Sequence, residues 1–163
     1  MSSIIRIIDK MLSISLMFLM VAIVFAVLWQ VLSRYLLQSP SSGSEEIARF
    51  LLIWISLLGA AYSYRVKLHL GLDIVTKRMP DKQQKLTAIF CHVVVLIFSL
   101  LVLVLGGSYL VLLTLNPIQI SPALGIYIGY VYMVLPLTGF LMSAYALNEI
   151  VLIMQNNLSV EEY

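Results

Sequence analysis

This sequence predicts an all-α membrane protein of four transmembrane helices, with short amphipathic helices at the interface and both termini cytoplasmic. Three observations carry that expectation. Hydrophobic residues make up 61% of the chain and charged residues only 11%, against roughly half and roughly a quarter in soluble domains. Four apolar stretches, 11–32, 47–64, 86–115 and 124–154, stand between polar breaks, and a helix needs roughly 20 apolar residues to cross a bilayer core about 30 Å thick. Finally, eight of the ten Lys and Arg residues fall before the first stretch or between the second and third.

The chain opens with SSIIRIIDKML, in which Ile4, Ile5, Ile7, Ile8, Met11 and Leu12 recur at helical spacing opposite Arg6, Asp9 and Lys10. Two readings fit this pattern. An amphipathic helix over 3–10 lies in the cytoplasmic interface and turns into the first span, or one long tilted helix begins near Ile4. The apolar run is too long for a signal-peptide core and no A-x-A site closes it, so it is expected to stay as a span.

The first loop, LLQSPSSGSEE, is rich in Ser, Pro and Gly and breaks the helix. Ser42 with Glu45 fits a capping box, and Ser44 is the alternative N-cap. Either way Glu45 and Glu46 fall in the first turn, where carboxylates offset the positive end of the helix dipole. In the second loop Leu72, Val75 and Met79 share a helical face opposite Lys77 and Arg78, which predicts a short interfacial helix over 72–79 stopped by Pro80. Asp81 then caps the third span. The third and fourth spans run long and should tilt, and Pro136 should kink or loosen the fourth. On this reading residues 1–163 form a single membrane domain.

Orientation follows from charge. Arg6 and Lys10 precede the first span, while Arg65, Lys67, Lys77, Arg78, Lys82 and Lys85 lie between the second and third. Those regions share a side in a four-span protein, and the positive-inside rule makes that side cytoplasmic.

The second span raises the functional question. On a helical wheel Glu45, Ala48, Leu52, Ser56, Gly59 and Ser63 share a sector, with Arg49 and Ala60 at its edge and Trp54 opposite. A stripe of small residues lets another helix backbone approach closely, and in lipid such packing drives association. Two explanations fit the charges at its foot. In one, Glu45 and Glu46 pair locally with Arg49 at i, i+4 and i, i+3, worth a few tenths of a kcal/mol per pair. In the other, two carboxylates and one arginine leave unmatched charge that docks another polypeptide. The interface candidates are Glu45, Glu46, Arg49, Ser56, Gly59 and Ser63.

The segment SRYLLQSPSSGSEEIARFLLIWISLLGAAYSYRVKLHLGLD resembles the signature region of the small membrane subunit of tripartite ATP-independent periplasmic (TRAP) transporters. The matching residues are Arg34, Tyr35, Glu45, Glu46, Arg49, Trp54, the run Leu58-Gly59-Ala60-Ala61, Arg65, His69 and Asp73. Further on, ISPALGIYIGYVYMVLPLTGF is similar to the family's fourth-span region through Ser121, Pro122, Ala123, Leu124, Tyr130 and Pro136. Where many members carry an aromatic residue before the paired glutamates, this chain has Ser-Gly-Ser. The resemblance adds Arg65 and His69 to the interface candidates. It implies a bacterial inner-membrane scaffold packed against a large sodium-coupled elevator subunit. A periplasmic protein, bound transiently, would deliver a carboxylate substrate, sialic acid first and a C4-dicarboxylate second.

Other functions fit less well. No Ser-His-Asp, metal-ligand or phosphate-loop pattern is present, so neither an enzyme nor a cofactor is expected, and the partners are membrane protein and lipid, with no nucleic acid. A redox-complex anchor would want two histidines at matched depth on facing helices, but His69 lies in a loop and His92 near the start of the third span, where a headgroup or loop would satisfy it. Cys91 reads as a small packing residue. A homodimeric exporter would need an embedded carboxylate, and Glu149, the single candidate, is placed to snorkel near the end of the fourth span.

Overall fold

The computed structural model describes residues 3–39, 41–66 and 80–155. The interfacial helix expected over 72–79 and His69 lie outside the described residues. Four helical runs, Ile5–Tyr35, Ser42–Arg65, Gln83–Leu115 and Ile128–Met154, are long and apolar enough to cross a membrane. The chain is an all-α, four-span protein with no strand among the described residues.

Helix α1 (Ser3–Tyr35) is one continuous helix of 33 residues. Residues 3–10 are its opening turns, continuous with the rest of the helix. Leu12, Leu16, Leu19, Ile23, Ala26, Gln30 and Ser33 are buried or half-buried along it. Their alternating spacing of four and three is a coiled-coil seam, and the rest of α1 is mostly exposed apolar surface.

Helix α2 (Ser42–Arg65) starts one residue after its cap. Ser41 Oγ accepts from the Ser44 amide at 3.4 Å, and Ser44 Oγ donates to the Ser41 carbonyl at 2.9 Å. The cap is thus Ser41, displaced from the Ser42 and Ser44 expected above, because Ser44 spends its hydroxyl on the preceding turn. The third span begins as α3 (Asp81–Phe98) behind the extended Pro80, whose carbonyl accepts from the Gln83 and Gln84 amides. It widens to a π-helix over Ser99–Gly106 and returns to α4 (Gly107–Leu115). The fourth span comprises α5 (Ile128–Tyr132) and α6 (Val134–Met154), interrupted at Met133. Pro136, three residues on, lacks the N–H that would bond the Tyr132 carbonyl, so the loosening falls just before it.

The chain divides into two compact units. The first holds Met1–Tyr62 and Tyr109–Val134. In it Gln30 Nε2 donates to the Ser44 carbonyl at 2.8 Å and Trp54 Nε1 to the Val131 carbonyl at 3.1 Å. Residues 116–127 fold back on themselves: the Ser121 amide bonds the Ile126 carbonyl, the Gly125 amide bonds the Ser121 carbonyl, and Ile120 pairs with Tyr127. Gly125 turns this loop at φ +68, a region that favours glycine.

The second unit holds Ser63–Ser108 and Leu135–Tyr163. Here α6 lies so close to the π-helix that a Cβ on Gly139 would stand 2.7 Å from Val104 Cγ2 and 2.9 Å from the Val104 backbone nitrogen. Ser99 and Ser143, both buried, share a hydrogen bond of 2.9 Å, and Ser143 Oγ also donates to the Gly139 carbonyl. Close packing plus hydroxyls that satisfy each other is how helices associate where apolar burial gives no advantage over lipid.

Candidate partner interface

On α2 the residues Glu45, Arg49, Leu52, Ser56 and Ala60 are all exposed. Their spacing of four, three, four and four draws one row up the helix. Leu52 in the middle is 56% exposed. Gly59 beside the row has nothing within 4 Å of where a Cβ would stand, and Ser63 is half-buried. The opposite face carries buried Leu58 and Ala61, and Trp54. The small-residue sector of α2 is thus exposed at Glu45, Leu52, Ser56 and Ala60 and half-buried at Ala48, Gly59 and Ser63. The close approaches inside the chain use other glycines: Gly107 against Leu135 and Pro136, Gly129 against Leu115, and Gly139.

Among the described residues, neither glutamate at the foot of α2 pairs with Arg49. Glu45 Oε1 accepts from Arg34 Nη2 of α1 at 3.1 Å, an exposed ion pair. The Glu46 carboxylate turns to the 116–127 loop, where it accepts from Ser121 Oγ and from the Ala123 and Leu124 amides, each amide at 3.3 Å. Consecutive residues point about 100° apart on a helix, so the two glutamates serve different neighbours and leave Arg49. Arg49 is exposed and makes no ion pair among the described residues.

Arg65, the last residue of α2, belongs to the second unit. Its Nη1 stands 3.4 Å from Glu149 Oε1, with the two side chains only 11% and 8% exposed, and its guanidinium lies 5.8 Å from the Tyr145 ring centroid. Glu149 is therefore turned inward and does not snorkel. A fixed arginine within reach makes an inward carboxylate less costly than one aimed at lipid. Nor is His92 left to a headgroup: its Nδ1 shares a 2.6 Å hydrogen bond with Tyr64 Oη. Among the described residues no group of His, Cys, Asp and Glu could hold a metal ion.

Four membrane-crossing helices, with polar groups largely tied to one another and one face of α2 uncovered, define a multi-pass membrane protein. The chain belongs to the DctQ component family of tripartite ATP-independent periplasmic transporters, whose model matches residues 23–156. It is 30% identical over 91 residues to the sialic acid TRAP transporter small permease protein SiaQ of Vibrio cholerae, covering 56% of this chain and 53% of that one. A putative TRAP transporter small permease protein of Haemophilus influenzae is 28% identical over 142 residues, 87% of this chain and 84% of that one. The isethionate TRAP transporter permease protein DctMQ of Oleidesulfovibrio alaskensis is 33% identical over 138 residues, which are 80% of this chain but 21% of that protein. The chain thus spans about half of the SiaQ relative and a fifth of DctMQ. Family membership places it in the inner membrane as a multi-pass transporter subunit, a class apart from redox anchors and small exporters.

Proposed function

We propose that this chain is the non-catalytic small subunit of a TRAP transporter and docks through the outward row of α2 onto a larger membrane polypeptide. The larger subunit carries the sodium-coupled elevator, and this chain is its scaffold, a single membrane domain with both termini cytoplasmic. The imported substrate is a carboxylate delivered by a periplasmic binding protein, sialic acid in preference to a C4-dicarboxylate. The observation that carries the reading is the uncovered face Glu45, Arg49, Leu52, Ser56 and Ala60, with Arg49 lacking an ion-pair partner among the described residues. The DctMQ relative supports it, since the matching segment there is a fifth of one longer permease chain. Glu46 and Arg65, turned inward, act within the chain, and the contact rests on Glu45, Arg49, Ser56, Gly59 and Ser63.

Co-purification with the large subunit, followed by uptake of labelled sialate under a sodium gradient, tests the docking face. Gly59→Leu should leave the isolated chain folded, because nothing stands within 4 Å of where its Cβ would be, and should weaken the complex. Arg49→Ala should do the same, by about tenfold in affinity for a charge pair partly shielded from water. An intact complex with normal uptake in both variants refutes the docking face. Orientation is tested separately. Reporters fused after Met154 and within 38–44 should report the cytoplasm and the periplasm respectively, and a periplasmic C-terminus overturns that assignment.

A further inference from the structure

Two adjacent residues at the C-terminal end of α2 reach two different helices. Tyr64 Oη meets His92 Nδ1 of α3 at 2.6 Å, with the rings edge-on and their centroids 5.8 Å apart. Arg65 meets Glu149 of α6 at 3.4 Å and lies near the Tyr145 ring, one turn away on the same helix. The divergence follows from helical geometry, since neighbouring side chains leave the axis about 100° apart. We propose that this last turn of α2, residues 63–65, is a clasp that holds α3 and α6 at one relative depth within the second unit.

Apolar side chains packed in lipid resist sliding weakly, because one leucine replaces another at little cost. A fixed ion pair does resist, since a shift of one turn, about 5 Å, would pull Arg65 away from Glu149 and forfeit the attraction between two largely buried charges. The Tyr64–His92 bond sets the third helix by the same logic. The two arms engage different helices, and each is probed by its own variant. The clasp is independent of the partner proposed above and is tested on this chain by itself.

Hydrogen–deuterium exchange of the full chain in lipid nanodiscs reads each arm. Glu149→Gln should speed amide exchange along 145–153 of α6 by about tenfold or more, leaving α3 near its original rate. Tyr64→Phe should speed exchange around 88–96 of α3 and leave α6 unchanged. The exchanged pair, Arg65→Glu with Glu149→Arg, should restore slow exchange in α6. The clasp is refuted if both single variants loosen the same helix, or if neither loosens any. Should Glu149→Gln fail to fold, the exchanged pair decides: an exchanged pair that also fails to fold, or exchanges as fast as unfolded chain, overturns the proposal.

Discussion

Gly139→Ala is expected to destabilise the isolated chain by about 3 kcal/mol, the upper end of what overpacking usually costs. The added methyl carbon would meet Val104 Cγ2 at 2.7 Å, Leu103 Cβ at 2.8 Å and the Val104 backbone nitrogen at 2.9 Å. A flexible side-chain tip could rotate away, but Leu103 Cβ and the backbone nitrogen are fixed to the π-helix and move only with it. Separation of α6 from that segment would also stretch the Ser99–Ser143 hydrogen bond. Unfolding of the purified chain in detergent, followed by circular dichroism against denaturant, measures the effect. Gly59→Ala is the control, since the space beside Gly59 is open, and a methyl group there should leave the midpoint unchanged or raise it slightly, because alanine favours a helix over glycine. Equal effects at the two glycines would mean that α6 does not pack against the π-helix as described.

Glu46→Ala should cost about 1.5–3 kcal/mol, the range for hydrogen bonds to a charged group. The carboxylate accepts from Ser121 Oγ and from two backbone amides, and Ser121 is almost wholly buried. Without the carboxylate those amides and a buried hydroxyl lose their acceptor, and Leu124 N keeps only its 3.3 Å contact to Ser121 Oγ. Glu46→Gln retains a carbonyl oxygen and should lose less than half as much. Glu45→Ala should be nearly neutral for folding, since its ion pair with Arg34 is exposed and such pairs contribute little. Chemical denaturation of the three variants ranks them, and a Glu45 effect as large as that of Glu46 would contradict the division of roles between the two carboxylates.

That division marks where the sequence stopped being informative. The four spans were legible because composition and length impose them once the solvent is a bilayer. The small-residue sector of α2 was legible too, since Ser, Gly and Ala at helical spacing stand out among Leu and Ile. Nothing in "SEE" says which glutamate turns inward, because its partner Ser121 is 75 residues away. Arg65 and Glu149 are 84 residues apart, and no local pattern links them, so Glu149 reads as a residue near a helix end. The seam on α1 was hidden for the opposite reason: Leu12, Leu16, Leu19 and Ile23 sit among equally apolar neighbours, so periodicity carries no contrast. Gly107, Gly129 and Gly139 offered a weak signal, since a glycine inside a span costs helix stability unless something packs against it.

The narrow seam of α1 has a consequence for how this protein changes over evolutionary time. Outside the seam, side chains such as Phe18, Val21, Phe25 and Leu28 are more than half exposed, and lipid accepts Leu, Val, Ile, Met or Phe there with little preference. Where lipid is the neighbour, such positions are expected to drift within one apolar class. Drift of that kind erases alignable sequence while leaving the helix intact. The family match begins at residue 23, partway along α1, and the first half of that helix is where ancestry should be hardest to trace.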